Sequence, residues 1–153
     1  ADGTIPVIMH ARLIQIGNWL SVYGEGIYGT RQWIKDAQWS DGKKPVFSKS
    51  DFHSGFPIYQ MTIDPKPGDS VKEFWFTQKG NNLYAFSPEW PSSSTIVIDD
   101  VVSSSDTKVV LMGCDKALPF TQNENGISID ISSINFKDFK SQFVFGFKIS
   151  NIK

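Results

Sequence analysis

The sequence predicts a mainly β protein, an antiparallel β-sandwich preceded by one amphipathic α-helix near the N-terminus. Apolar residues recur every three to four positions between residues 5 and 23. From about residue 56 onward, apolar and polar residues alternate in several short runs instead. Gly, Pro, Asn and Asp separate these runs, which favours an antiparallel sandwich over a parallel sheet with crossover helices.

The helix is predicted over residues 5–23. Its apolar stripe comprises Ile5, Met9, Leu13, Ile16 and Leu20. Thr4 and Pro6 suit its first turn, and Gly24 suits its end. An isolated helix of this length is marginal in water. We therefore expect the stripe Met9, Leu13, Ile16 and Leu20 to pack on the sandwich or on a second copy of the chain.

Several short strands follow the helix. Residues 33–50 are irregular and are expected to form a linker, in which Val46 and Phe47 suit a short strand. The strands are predicted at residues 56–63, 71–78, 83–87, 95–98, 108–112, 127–131 and 143–149. The second and third of these flank a Lys-Gly-Asn-Asn sequence and are predicted to form a hairpin. In the last one, alternation predicts one buried face that carries Phe143, Phe145, Phe147 and Ile149.

Composition excludes several functional classes. The 153 residues include 15 Lys and Arg against 16 Asp and Glu, a formal net charge of −1. Without a basic excess, binding to a phosphate backbone is not expected, and no nucleic-acid partner is predicted. No apolar run approaches the ~20 residues of a membrane span.

The carboxylates are not arranged for hydrolysis. Glycoside hydrolysis needs two carboxyl groups about 5–10 Å apart. Asp2 and Glu25 bracket a helix that is about 27 Å long at ~1.5 Å per residue, so they are too far apart. Asp99 and Asp100 are consecutive at a strand end and point to opposite faces. We therefore expect no catalytic pair in this chain.

Metal and nucleophile chemistry is not expected either. His10 and His53 are the two histidines and lack the spacing of metal ligands. Cys114 is the single cysteine, which rules out an internal disulfide and a cysteine-based zinc site. It ends an apolar strand and is interpreted as a buried, inert thiol. No metal and no cofactor are therefore predicted.

The aromatic residues suggest a second class of function. Exposed tryptophan rings stack on sugars, and Trp90, which lies in a Pro-Glu-Trp-Pro loop, is expected to be exposed. Trp39 is the other candidate. Phe74 and Phe76 lie on the strand face opposite Trp75, so one of these two sets should face solvent or another domain. Packing in the core or between domains is the alternative for all of these aromatic residues.

The chain resembles the α-L-fucosidases of glycoside hydrolase family 29. The resemblance is most specific over residues 1–33, with ADGTIP at positions 1–6 and GEGIYGTR at positions 24–31. It continues through residues 76–80, 83–85, 90–91, 109–113, 118–122 and 126–131. Tyr23 stands where Asn is common in the family, and Gly26 stands where Ala is common. Neither residue is catalytic in the family.

The resemblance implies a position within a larger enzyme. Family members have a (β/α)8-type catalytic barrel followed by a C-terminal antiparallel β-sandwich. Residues 1–32 then resemble the last barrel loop and helix, residues 33–50 a linker, and residues 51–153 the sandwich. The family hydrolyses α-L-fucosides with retention, and its Asp nucleophile and acid/base residue belong to the barrel. The resemblance thus implies a C-terminal fragment that is inactive alone.

The same resemblance implies partners and a place of action. The barrel of the same chain is the expected partner, and fucosylated glycans would be bound through the parent enzyme, which would be periplasmic, lysosomal or secreted. Asp2 and Gly3 would line the rim of the active site in the parent, unless they form only a helix-entry turn. The alternative in another class is a carbohydrate-binding module that uses Trp90 and Trp39, and a third is a scaffold that binds no ligand.

Overall fold

The structure is a computed structural model that describes residues 3–43, 67–114, 116–141 and 143–153. Within these ranges the chain forms one α-helix, α1 (Val7–Tyr23), and two 3-10 helices, Gly24–Gly26 and Phe136–Asp138. The strands are β1 (Ala37–Trp39), β2 (Lys72–Lys79), β3 (Asn82–Ser87), β4 (Thr95–Asp99), β5 (Lys108–Leu111), β6 (Ala117–Leu118), β7 (Phe120–Gln122), β8 (Gly126–Asp130) and β9 (Phe145–Ser150). The prediction of a mainly β chain with one N-terminal helix is confirmed.

The strands form two antiparallel sheets. The larger has the order β1-β2-β3-β9-β5-β6, and the smaller has the order β4-β8-β7. The predicted hairpin is confirmed, since β2 pairs with β3 and Lys79 lies opposite Asn82. Gly80 lies in the turn between them with a φ of 56°, a value that glycine adopts without strain.

The main core lies between the sheets, as the alternation predicts. The large sheet contributes Phe74, Phe76, Leu83, Ala85, Phe145, Phe147 and Ile149 to it. The small sheet contributes Ile96, Ile98, Ile127 and Ile129. Each large side chain stabilises the fold by roughly 1.5–3 kcal/mol through its burial. Phe74 and Phe76 are therefore the buried set, whereas Trp75, on the opposite face of β2, is half-buried.

The sandwich begins earlier in the sequence than expected. Trp33 packs in the main core, edge-to-face with Phe76, and β1 pairs with β2, although both lie in the segment predicted as a linker. The short strand β1 was not predicted, and β6 and β7 were indicated only by the family resemblance of residues 118–122 to a strand. The predicted strands at residues 46–47 and 56–63 lie outside the described residues.

The bounds of helix α1 are close to those predicted, but its packing differs from the prediction. Pro6 is the N-cap, no side chain caps the start, and Gly24 is the C-cap as expected. Met9, Leu13 and Ile16 are exposed, so the expectation that the whole stripe packs on the sandwich is wrong. The physical reason is that only the last turn of the helix reaches the sheet. Packing of the stripe on a second copy stays a prediction.

Candidate functional site

The last turn of α1 lies on the outer face of the large sheet. There Tyr23, Tyr84, Phe86 and Met112 form a second buried cluster, separate from the core between the sheets. The ring of Trp19 stacks on Tyr23 at 5.0 Å between centroids and lies 5.9 Å from Phe86. The helix therefore enters the sandwich through aromatic contacts at its C-terminal end.

The 3-10 helix that follows α1 comes unusually close to the sheet. A Cβ atom on Gly26 would lie 2.7 Å from Cζ of Phe86 and 2.9 Å from Cδ1 of Tyr84. The hydroxyl of Thr77 donates a hydrogen bond of 2.6 Å to the carbonyl oxygen of Gly26. The absence of a side chain at position 26 is thus what permits this contact, where the family resemblance leads one to expect alanine.

Glu25 joins the same 3-10 helix to two strands. Its carboxylate accepts a hydrogen bond from the hydroxyl of Tyr84 at 3.0 Å and another from the ammonium of Lys148. The bond from Lys148 is the largest reason why the pKa of Glu25 is lowered. Burial, followed by the Glu25 carboxylate, raises the pKa of Tyr84 to about 12. Sequence reasoning considered Glu25 as a possible catalytic acid and missed this contact.

The N-terminal two-thirds of α1 has no partner among the described residues. Val7 is 86% exposed and Ile14 is 50% exposed, and their spacing of seven places them on one face. Met9 and Leu13 are exposed on roughly the opposite face. A helix with apolar residues around most of its circumference is typical of a helix that is enclosed by other elements.

A wide groove lies beside this helix. It is lined by Ile16 and Trp19 of α1, by Trp75 and Phe86 of the large sheet and by Phe143. Its volume is about 1570 Å³, which exceeds the roughly 300–1,000 Å³ of pockets for small ligands. The size and the continuity with the exposed helix suit the docking of a protein surface.

Both sugar-stacking candidates are half-buried. Trp90 is half-buried, and its ring lies 4.6 Å from Phe139 and 5.2 Å from Phe145, so the expectation that it is an exposed loop aromatic is wrong. Loop residues can contribute to a core when their neighbours supply an apolar wall. Trp39 is half-buried as well, and the ammonium of Lys72 lies 5.2 Å from its ring centroid. Sugar stacking at these rings stays a prediction.

The remaining candidate residues do not converge on one site. Asp2 and His53 lie outside the described residues. Gly3 is exposed, with a φ of 76°, which suits the entry turn of the helix. His10 is exposed on α1, and Cys114 is half-buried against the main core.

One group of carboxylates was not foreseen. Burial raises the pKa of Glu73, and the negative charges of Asp41 and Asp99 add to this shift, whereas a hydrogen bond from Gln38 opposes it. Pairing of β1 with β2 places Gln38 beside the strand of Glu73, and the amide of Asp99 in β4 donates a hydrogen bond to Gln38. The sequence did not predict this arrangement because β1 lies in the expected linker. In the described part of the chain, no cluster of His, Cys, Asp and Glu suits a metal ion. Over the same part, no helix is both long and apolar enough to cross a membrane.

Comparison with known proteins supports the family resemblance. The tissue α-L-fucosidase of Homo sapiens is 24% identical to this chain over 153 aligned residues. The alignment covers 99% of this chain and 26% of the human protein. The α-L-fucosidase of Dictyostelium discoideum is 26% identical and matches all of this chain over 28% of its own length. The chain thus spans about a quarter of the length of these curated relatives.

A solved structure shows the same fold. The crystal structure of Thermotoga maritima α-fucosidase superposes with a TM-score of 0.60 and 23% identity, covering 97% of this chain and 28% of that one. The family described as the α-L-fucosidase C-terminal domain matches residues 69–150, from β2 to the end of β9. The chain therefore belongs to the α-L-fucosidase C-terminal domain family.

Proposed function

We propose that this chain is the accessory C-terminal domain of an α-L-fucosidase and that it holds a catalytic domain through α1 and the groove beside it. The observation that carries the proposal is the uneven burial of α1. Its last turn is fixed to the sheet by Trp19 and Tyr23, whereas Val7, Met9 and Ile14 expose large apolar surfaces on more than one face.

The distribution of exposed apolar residues around α1 favours a catalytic domain over a second copy of the chain as the partner. A symmetric pair of helices buries a single stripe on each helix. Here Val7 and Ile14 lie away from the stripe of Met9 and Leu13, so a paired copy would leave one face in water. A helix of a catalytic barrel has neighbours on several sides, which suits both faces.

The relatives support this choice of partner. Curated α-L-fucosidases are about four times as long as this chain, and the family matched here is their C-terminal domain. Hydrolysis of α-L-fucosides is accordingly proposed for the assembled enzyme. The carboxyl pair that performs it would lie in the catalytic domain and not among Glu73, Asp41 and Asp99.

The proposal is tested with the full-length enzyme and the 153-residue chain side by side. An aryl α-L-fucoside should be hydrolysed by the full-length enzyme and not by the chain alone. The amides of α1 before Ile16 should exchange with solvent faster in the chain than in the full-length enzyme, because a catalytic domain would cover them only in the latter. In the full-length enzyme, the double variant Met9→Ser and Leu13→Ser should lower thermal stability, and the exposed polar control His10→Ser should not.

Two results would overturn the proposal. The first is turnover by the 153-residue chain that Glu73→Gln abolishes, which would place the chemistry within the sandwich. The second is equal exchange of the α1 amides in both proteins, which would mean that no catalytic domain covers the helix.

A further inference from the structure

Phe143 departs from the pattern of the strand that follows it. Phe145, Phe147 and Ile149 of β9 point into the core, and alternation places Phe143 with them. Instead, Phe143 is 62% exposed. The cause is Val144, whose φ of 52° turns the chain before β9 begins and reverses the direction of the preceding side chain.

The backbone of Val144 is strained. A positive φ is a genuine outlier for a β-branched residue, and such conformations cost on the order of 1–3 kcal/mol. The other positive-φ residues besides glycine in the described ranges are Asp100 and Asn151, which are types that tolerate this conformation. Strain of this kind persists where the surroundings enforce it.

Those surroundings include residues of α1 and of the large sheet. The indole nitrogen of Trp19 donates a hydrogen bond of 3.3 Å to the carbonyl oxygen of Val144. The side chain of Val144 packs against the cluster that contains Tyr23 and Phe86. The attachment of the helix and the unusual conformation of Val144 are therefore parts of one arrangement.

Phe143 is also fixed on its other side. Its amide nitrogen donates a hydrogen bond of 3.1 Å to Oγ of Ser141, and that hydroxyl donates one of 2.8 Å to the carbonyl oxygen of Phe143. The backbone of an exposed aromatic residue is thus held in place before any partner arrives. Preorganisation of this kind lowers the entropic cost of binding.

We propose that Phe143 is an anchor that inserts into an apolar pocket of the catalytic domain. Phe143 lines the same groove as Ile16 and Trp19, so a body that covers the exposed helix at its groove side also reaches this ring. Aromatic side chains are enriched among the interface residues that contribute most to association. The inference rests on the proposed function, because it takes the catalytic domain as the occupant.

The chain offers a matched control. Phe136 is 90% exposed and precedes the same strand, but it does not line the groove. In the full-length enzyme, Phe143→Ala should speed amide exchange in the groove-facing part of α1 about tenfold or more, as loss of an aromatic anchor predicts. Phe136→Ala should leave this exchange unchanged. In the 153-residue chain, neither variant should alter it.

A second measurement does not depend on loss of stability. With p-benzoylphenylalanine in place of Phe143, illumination should give a crosslink to a peptide of the catalytic domain within the same molecule, and the same replacement at Phe136 should not. If α1 is protected in the full-length enzyme but Phe143 gives no such crosslink, the anchor is refuted and the proposed function stands. If α1 is equally exposed in both proteins, both fail. Crosslinked dimers would assign the anchor to a second copy and overturn the proposal.

Discussion

The sandwich and helix α1 both carry periodic apolar residues but use them differently. In the sandwich, each inward side chain of β3 and β9 meets a partner from the facing sheet or a neighbouring strand, and Leu83 and Phe147 are fully buried. In α1, the apolar residues that precede Trp19 are exposed to solvent. Apolar periodicity therefore identifies a face that needs cover, but it does not say whether the same segment supplies that cover.

This difference determines whether the stability of each region depends on another domain. The sandwich supplies its own partners, so its stability should be a property of the 153-residue chain. The exposed part of α1 contributes little until another surface covers it. Leucine occurs in both regions, and glycine occurs both within α1 and where α1 meets the sheet, so the contrast can be measured with the same substitution at two positions.

The largest expected effect contrasts two leucines. Leu83 is 0% exposed and Leu13 is 54% exposed. Leu83→Ala should lower the free energy of unfolding of the 153-residue chain by about 2–5 kcal/mol, because it leaves a cavity in the core. Leu13→Ala should change it by at most about 0.5 kcal/mol. Urea denaturation measures both, and Ile149→Val provides a milder core variant, with a loss of roughly 0.5–1.5 kcal/mol.

An equal loss for both leucines would break the contrast. It would mean that the stripe of α1 is buried in solution. If that loss also varied with protein concentration, association through Met9, Leu13, Ile16 and Leu20 would be the cause.

The next largest effect compares Gly26, which lies where α1 meets the sheet, with Gly17, which lies in the exposed part of α1. Gly26 touches Tyr84 and Phe86, whereas a Cβ on Gly17 would meet nothing within 4 Å. Gly26→Ala should destabilise the chain by about 1–3 kcal/mol, since buried rings must move to admit the methyl group. Gly17→Ala should stabilise it by roughly 0.5–1 kcal/mol through helix propensity. Thermal unfolding of the two variants gives both signs, and a stabilising Gly26→Ala would show that the junction is loosely packed.

The sequence predicted regular elements better than it predicted their environment. The hairpin of β2 and β3 was predictable because turn residues and alternation agree locally. The position of Phe143 was not, because a single positive φ at Val144 reverses the alternation, and Val144 is contacted by Trp19, 125 positions away in the chain. The exposure of Trp90 was predicted wrongly for a related reason, since its loop joins the core through Phe139, Phe145 and Phe147, which are distant in the sequence.

The candidate site was predictable only in part. The apolar stripe of α1 indicated a surface in need of a partner, and the family resemblance indicated which partner to expect. The contact of Glu25 with Tyr84 and Lys148 gives no local signal, because its members are 59 and 123 positions apart. Contacts of this kind are set by how the helix crosses the sheet and not by any motif.

The smallest expected effect is the pH dependence of this contact. The pKa of Glu25 is lowered in the folded chain, chiefly by Lys148. Its contribution is therefore present above the ordinary glutamate pKa of about 4.3 and is lost as the pH falls through the lowered folded value. Because the carboxylate is half-exposed, the pair should contribute only about 0.2–1 kcal/mol.

Glu25→Gln isolates this contribution, since glutamine keeps an acceptor for Tyr84 but removes the charge that Lys148 pairs with. The difference in unfolding free energy between the parent chain and the variant should be present at pH 7 and vanish in acid below the folded pKa of Glu25. Tyr84→Phe tests the alkaline end of the pH range. The raised pKa of Tyr84 stabilises the fold below about pH 10, and this effect is lost as the pH rises to about 12. A difference that persists unchanged into acid would mean that position 25 supports the junction by shape alone, and the last turn of α1 would then be held by its aromatic contacts without help from charge.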